Sequence, residues 1–307
     1  MATAVIAHPE CVKHDMGSFH PECPDRLSAI DDRLIASGLA GLLLRYEAPR
    51  ATFEQLARAH TLAYIEAVRE ASPSSGMVHL DPDTAMNPHT LSAALHAAGA
   101  AILGVDLVMR GEVDNAFCSV RPPGHHACRA RAMGFCIFNN VAVGALHALE
   151  AHGLARVAVI DFDVHHGNGT EDIFAGDDRV LMVSTFQHPF YPYSGTDDVA
   201  SNMLNVPLAA GTGSEGFRKA VAEVWIPALD DFAPQFVFFS AGFDAHREDD
   251  MAMMALVDED YAWVTRQVKA IADRHAEGRI VSLLEGGYNL SALGRSAALH
   301  VKVLTED

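Results

Sequence analysis

Six short stretches of this chain are almost continuously apolar: Ala4–Ala7, Asn115–Val120, Val157–Phe162, Val180–Thr185, Phe236–Ala241 and Ile280–Glu285. A strand with one wet face alternates polar and apolar residues, so a strand apolar throughout needs cover on both faces. Longer Ala- and Leu-rich stretches between these runs supply the cover: Pro24–Ser37, Phe53–Ala59, Thr61–Arg69, Thr90–Arg110, Asn139–His152, Ser214–Phe232, Asp258–Ala276 and Leu290–Leu304. Buried strands alternating with helices predict an α/β fold, with a mainly parallel sheet between two helical layers. At 307 residues, half of them hydrophobic, the chain is long enough for one large α/β domain or two ordinary ones, and no repeat or linker divides it.

The polar residues with chemistry to offer sit where the apolar runs stop. RPPGHHA follows Val120, DFDVHHGNG follows Ile160, AGFDAH follows Ser240 and EGGYN follows Leu284. Open α/β sheets bind ligands at the carboxyl ends of their strands, so these segments are expected to meet on one edge.

Asp161, Asp163 and His165 alternate in DFDVH, and in extended backbone they point the same way. Two carboxylates and an imidazole on one buried face repel and desolvate each other unless a cation is present. Two of them with a third ligand make an open, catalytic type of zinc site, although solvated acids capping a strand end give the same short pattern. Asp244 is the candidate third ligand, and by itself it reads equally as a turn cap. In RPPGHH the prolines stiffen a loop bearing His125 and His126, which suit a base and a proton shuttle if their other ring nitrogens find partners. Asp161 and Asn168 are the candidate partners. Gly286 and Gly287 allow close approach of the backbone to a ligand, and Tyr288 offers a phenol to a developing oxyanion or simply packs.

Charge and cysteine usage narrow the class. The formal charge is −18, from 22 basic and 40 acidic residues, so nucleic acid is not the expected partner. An acidic surface favours cationic partners weakly, and keeps a protein soluble in any case. The five cysteines, Cys11, Cys23, Cys118, Cys128 and Cys136, show no CxxC spacing and read as reduced thiols. No apolar run reaches the roughly 18 residues of a membrane span, and MATAVIAHPE lacks a signal-peptide pattern. A cytoplasmic protein without a membrane partner is expected, and a homo-oligomer is left open.

Taken together, the motifs resemble the histone deacetylases, specifically the bacterial class II-like members of the arginase-deacetylase superfamily. The resemblance is carried by HPECPDRL at His20–Leu27, LDPDT at Leu80–Thr84, RPPGHHA, GFCIFNN at Gly134–Asn140, DFDVHHGNGTE, SAGFDAH and LLEGGYNL, which span nearly the whole chain. It implies a single catalytic domain over residues 1–307, with an arginase-like three-layer sandwich around an eight-stranded sheet. It implies one Zn2+ per chain on Asp163, His165 and Asp244, although such ligands also accept Fe2+. His126 would be the general base, His125 its shuttle or electrostatic partner, and Tyr288 the group that polarises the carbonyl. Asp161 would orient His125 and Asn168 would orient His126, with Asn at 168 as in class II. Gly134, Phe135, Phe190 and Tyr191 would wall an acyl-lysine tunnel, with Gly286 and Gly287 beside it and Asp81 or Asp83 holding substrate backbone at the rim. Arg26 resembles the basic residue of an internal acetate pocket. Asp161, Asp163, His165, Ser184 and Thr185 resemble a structural K+ site.

The implied reaction is hydrolysis of N-acyl-lysine to lysine and a carboxylate. The alternatives are an acetylpolyamine or other small acyl-amine amidohydrolase and, ranked lower, a silent acyl-lysine binding module. Polyamine-specific relatives carry an acid at the rim in the loop after the third metal ligand. Here that position aligns with Met251, with Glu248, Asp249 and Asp250 next to it.

Overall fold

A computed structural model describes residues 1–306. Its strands, in chain order, are β1 (Thr3–Ala7), β2 (Leu43–Glu47), β3 (Val78–His79), β4 (Ala85–Met86), β5 (Asn115–Cys118), β6 (Val157–Asp161), β7 (Val180–Gln187), β8 (Met203–Leu208), β9 (Phe236–Ala241) and β10 (Ile280–Leu284). Eight of them form one sheet in the order β2-β1-β5-β10-β9-β6-β7-β8, and β3 pairs with β4 in a separate antiparallel ribbon. Every pairing in the large sheet is parallel. Helices cover both faces, as the all-apolar strands require.

The six apolar runs become six inner strands, five of them buried at every position and β1 at all but its last. The two large-sheet strands without such a run, β2 and β8, are the two edges. An edge strand needs less cover, so its sequence is mixed: Leu44, Arg45 and Glu47 of β2 are exposed or half-exposed, and β8 contains Pro207. Proline has no N–H to give a ladder and is tolerated at an edge.

Two helical expectations change. Ser214–Phe232 is interrupted by a π-helical stretch at Val221–Trp225, just before Pro227. Proline at 227 lacks the N–H that would bond the Glu223 carbonyl, so the turn widens there. Thr90–Met109 is, against the sequence reading, long and apolar enough to cross a membrane by length and composition, and 78% of that stretch is buried inside the fold. Its apolarity all round serves packing between the sheet and the helix Asn140–Glu150. A short helix at Asn168–Phe174, absent from the sequence reading, begins inside the DFDVHHGNG segment.

The four motif-bearing loops follow β5, β6, β9 and β10. These are the four central, mutually adjacent strands, in the order β5-β10-β9-β6, so segments up to about 160 residues apart in sequence share one patch of the carboxyl edge.

Candidate active site

Strand alternation does not build the metal-type cluster, contrary to the simplest reading of DFDVH. β6 stops at Asp161, and the chain then bends. The Asp163 N–H donates to Asp161 Oδ1 at 3.1 Å, and the His165 N–H donates to Asp163 Oδ1 at 2.8 Å. These turns replace the lost ladder partners and swing Asp163 and His165 towards β9. Asp244, three residues past β9, accepts from the Val164 N–H at 2.9 Å. His165 Nδ1 then lies 3.1 Å from Asp163 Oδ1 and 3.2 Å from Asp244 Oδ2.

All three side chains are buried, and one ligand atom from each lies within 4.8 Å of the others. Asp244 Oδ2 has no hydrogen-bond partner despite its burial. The surrounding backbone is cut away to admit the carboxylates: a Cβ on Gly242 would stand 2.0 Å from Asp163 Oδ2, and one on Gly286 2.1 Å from Asp244 Oδ2. Burial and then the charge of Asp163 push Asp244 up to about 6. Burial alone would lower His165, but its hydrogen bond with Asp163 and the nearby Asp244 carboxylate carry it up to about 10. The group thus gathers positive charge, which a divalent cation would supply more effectively than a proton. Two carboxylates and an imidazole with an open side suit Zn2+ or Fe2+.

The two histidines of RPPGHH differ in setting. His125 Nδ1 is 3.0 Å from Asp161 Oδ2, so Asp161 faces the histidine instead of the Asp163–His165–Asp244 cluster. Burial opposes its charge, but Asp163 and Asp161 hold His125 protonated well above the usual imidazole range. Asn168 Nδ2 points at Cys128 Sγ and Met133 Sδ, which leaves Oδ1 to accept from His126 Nδ1 at 2.7 Å. That hydrogen bond puts the proton on Nδ1 and leaves Nε2 as a free base. Burial, reinforced by His125 and His165, keeps His126 neutral.

A cavity of about 200 Å³ reaches this cluster, lined by Asp83, His126, Gly134, Phe135, His165, Phe190, Tyr191, Met251 and Tyr288. Gly134 and Phe135 both adopt left-handed backbone, φ 58° and 69°. That conformation is unfavourable for Phe. It is held by Gly134 N–H donating to Asp83 Oδ1 (3.2 Å) and Phe135 N–H donating to Thr84 Oγ1 (2.9 Å). The Phe135 ring meets His20 and Tyr288 edge-on, at 4.5 and 5.9 Å between centroids. Phe190 stacks on His165 at 5.6 Å.

A family model, the histone deacetylase domain, matches residues 20–304. The chain belongs to the histone deacetylase family. It is 40% identical to the histone deacetylase-like amidohydrolase of Pseudomonas aeruginosa over 277 residues, 88% of this chain and 73% of that one. It is 36% identical to the polyamine deacetylase HDAC10 of Homo sapiens, over the whole of this chain and 48% of that protein. The crystal structure of the HDA15 HD domain superposes with a TM-score of 0.94 at 36% identity, covering 99% of this chain and 88% of that one. The arginase-like sandwich and the amidohydrolase class inferred from the motifs therefore stand.

Within this histone deacetylase fold some expected residues do other work. Asp81 does not reach the cavity: its Oδ1 accepts from the N–H groups of Asp83 and Thr84 and shapes their turn, leaving Asp83 as the cavity acid. Gly286 and Gly287 do not line the cavity. Gly286 donates its N–H to Asp163 Oδ2 at 2.9 Å, and the Gly287 carbonyl accepts from Arg26 Nε at 2.7 Å. Arg26 is fully buried and lines no part of this cavity. It bonds Glu22 and the carbonyls of Glu285 and Gly287, with its guanidinium 5.1 Å from the Tyr288 ring centre, so it acts as a strut beneath that ring. Ser184 stands opposite Asp161 in register across β6 and β7, and Thr185 follows it, both buried.

The roles of two acids escaped the sequence reading. Glu285 Oε2 accepts from the N–H groups of Gly124 and His125 (2.6 and 3.0 Å) and so fixes the histidine loop, while burial pushes its carboxyl up to about 7. Asp249 accepts from the N–H groups of Tyr288 (2.6 Å), Asn289 (3.0 Å) and Met251 (3.0 Å). Glu285 lay inside a quoted motif but read as part of a strand. Asp249 sat in a run of acids that carries no local signal.

Proposed function

We propose that this amidohydrolase is a zinc-dependent deacylase of N-acyl-lysine side chains in proteins or peptides. The observation that carries the reading is the narrow aromatic-walled cavity that ends on His126, His165 and Tyr288 with the apolar Met251 in its wall. An acyl-lysine side chain is a slender apolar stem with an amide at its tip, and such a cavity suits it. A Zn2+ ion on Asp163, His165 and Asp244 would supply Lewis acidity to the acyl carbonyl and the attacking water. His126 Nε2, freed by Asn168, accepts the water proton, and Tyr288 donates its hydroxyl to the developing oxyanion. A protonated histidine returns a proton to the leaving amine, and the buried Asp161 keeps His125 charged beside it.

Two of the three acids near Met251 are engaged elsewhere, which supports the peptide reading. Glu248 pairs with Arg295 at 3.0 Å, and Asp249 is consumed by backbone N–H groups. A second reading, deacetylation of polyamines, draws support from Asp83: its carboxyl lines the cavity and offers an anion to a cationic substrate end. Asp161 facing Ser184 supports a K+ ion behind the site, and five free cysteines fit a reducing cytoplasm. The test is catalytic efficiency on acetyl-lysine peptides against acetylputrescine and acetylspermidine, for the parent and Met251→Glu. We expect the parent to prefer peptides and the variant to move towards polyamines. A parent that turns over acetylpolyamines faster than every peptide tried overturns the peptide reading in favour of the second.

A further inference from the structure

We propose that Asp106, His147 and His152 form a second site for a divalent transition-metal ion, at the opposite edge of the fold from the cavity. Asp106 lies near the end of the helix Thr90–Met109, His147 near the end of the helix Asn140–Glu150, and His152 just beyond that helix. The helix Asn140–Glu150 starts beside the catalytic loops and runs away from them towards the first residue of β6, so its end is remote from the cavity.

Both imidazoles present Nε2 to the same oxygen, Asp106 Oδ1, at 2.8 and 2.7 Å. Their rings stand 5.3 Å apart and nearly perpendicular, at 79°. The three candidate ligand atoms all lie within 4.8 Å of one another. His147 is buried and the other two are half-buried, so an ion there would be held on one side and open to water on the other. Two imidazoles and a carboxylate with an open position are a donor set for Zn2+, and for Ni2+ or Cu2+ by the same preference.

The proton balance closes within the site. In the metal-free arrangement each Nε2 carries the proton it donates to Asp106. On binding, each imidazole moves that proton to Nδ1 and stays neutral, and the ion takes the place of both hydrogen bonds. Arg58 restrains this exchange. Its Nη1 lies 2.7 Å from His147 Nδ1 and donates to it, so Nδ1 cannot be protonated until Arg58 withdraws. Glu150 is at hand to receive it, with Oε2 3.4 Å from Arg58 Nε. The ion would then tie the ends of two core helices together.

The experiment is Zn2+ titration of the whole 307-residue chain by calorimetry, with bound metal counted after dialysis and the melting temperature followed as Zn2+ is added. We expect the parent to bind two ions. His152→Ala should bind one fewer, lose the associated rise in melting temperature and keep its deacylase turnover. His152→Gln, which can still hydrogen-bond Asp106, should behave like His152→Ala, whereas a purely hydrogen-bonding role would be rescued by Gln. Arg58→Met should tighten the second site. Asp163→Ala separates the two readings: it should retain the ion that His152→Ala loses. If His152→Ala matches the parent in metal count and melting, the second site does not exist. If the Asp106 site binds and Asp163→Ala loses nothing, the catalytic ligand assignment fails while this one stands.

Discussion

Asp249→Ala should lower turnover without emptying the metal cluster. Asp249 is nearly buried, 5% exposed, and its carboxylate holds three N–H groups, those of Tyr288 and Asn289 on Oδ2 and that of Met251 on Oδ1. A hydrogen bond to a charged acceptor contributes roughly 1.5–3 kcal/mol. All three donors are in half-buried residues that water can reach in the variant, so the low end applies, near 1.5 kcal/mol each and about 4.5 kcal/mol together. For a chain of this size that corresponds to a melting temperature lower by roughly 5–10 °C. The larger effect should be catalytic, because the anchored segment carries the Tyr288 phenol, and a displacement of about 1 Å at a reacting group costs on the order of 10²-fold. The assay is kcat and KM on an acetyl-lysine peptide, with zinc content and melting measured on the same preparation. We expect full metal content, kcat reduced on the order of 10²-fold, and partial recovery in Asp249→Asn. Turnover within a few-fold of the parent would refute the anchoring argument. Selective loss of acetylpolyamine turnover with peptide turnover intact would instead make Asp249 a rim anion.

Asp163→Ala and His165→Ala should lose metal and activity together, and Gly286→Ala should do the same because its Cβ would stand 2.1 Å from Asp244 Oδ2; zinc content equal to the parent's sinks the ligand assignment. Tyr288→Phe should keep metal and lose about 10²–10³ in rate, comparable to deleting an oxyanion donor, and a near-parental rate would reduce Tyr288 to packing. His126→Ala should be metal-replete and nearly inactive; if it stays active, the base is His125. His300 is lowered by burial from its usual 6.5 to about 3, facing the hydroxyls of Thr265 and Ser282 and the rings of Phe117, Phe162, Phe239 and Phe243. The unfolded chain therefore binds this proton first, and the contribution of neutral His300 is present above pH 6.5 and lost as pH falls towards 3. A urea midpoint that does not fall between those pH values, or that falls equally in His300→Gln, removes His300 as the cause.

Apolar continuity alone determined the inner sheet, because a strand buried on both faces cannot hide that fact in its sequence. The same logic concealed the edges: β2 and β8 bury too little to be apolar throughout, and nothing local distinguishes them from loops. At the site, the residue types that the proposed chemistry requires were legible as motifs, since Asp163, His165, Asp244, His126 and Tyr288 each belong to a short pattern beside an apolar run. The assembly of those patterns was not, because it depends on strand order, and β10 and β9 lie between β5 and β6 although they come much later in the chain. Tertiary structure also decided which acids face the cavity. Asp81, Asp83, Glu248 and Asp249 are alike as sequence, yet Asp81 and Asp249 are taken up by backbone N–H groups and Glu248 by Arg295, whereas Asp83 accepts from the Gly134 N–H and also reaches the cavity wall. That choice follows from where the backbone donors fall after folding, a property that no local pattern encodes.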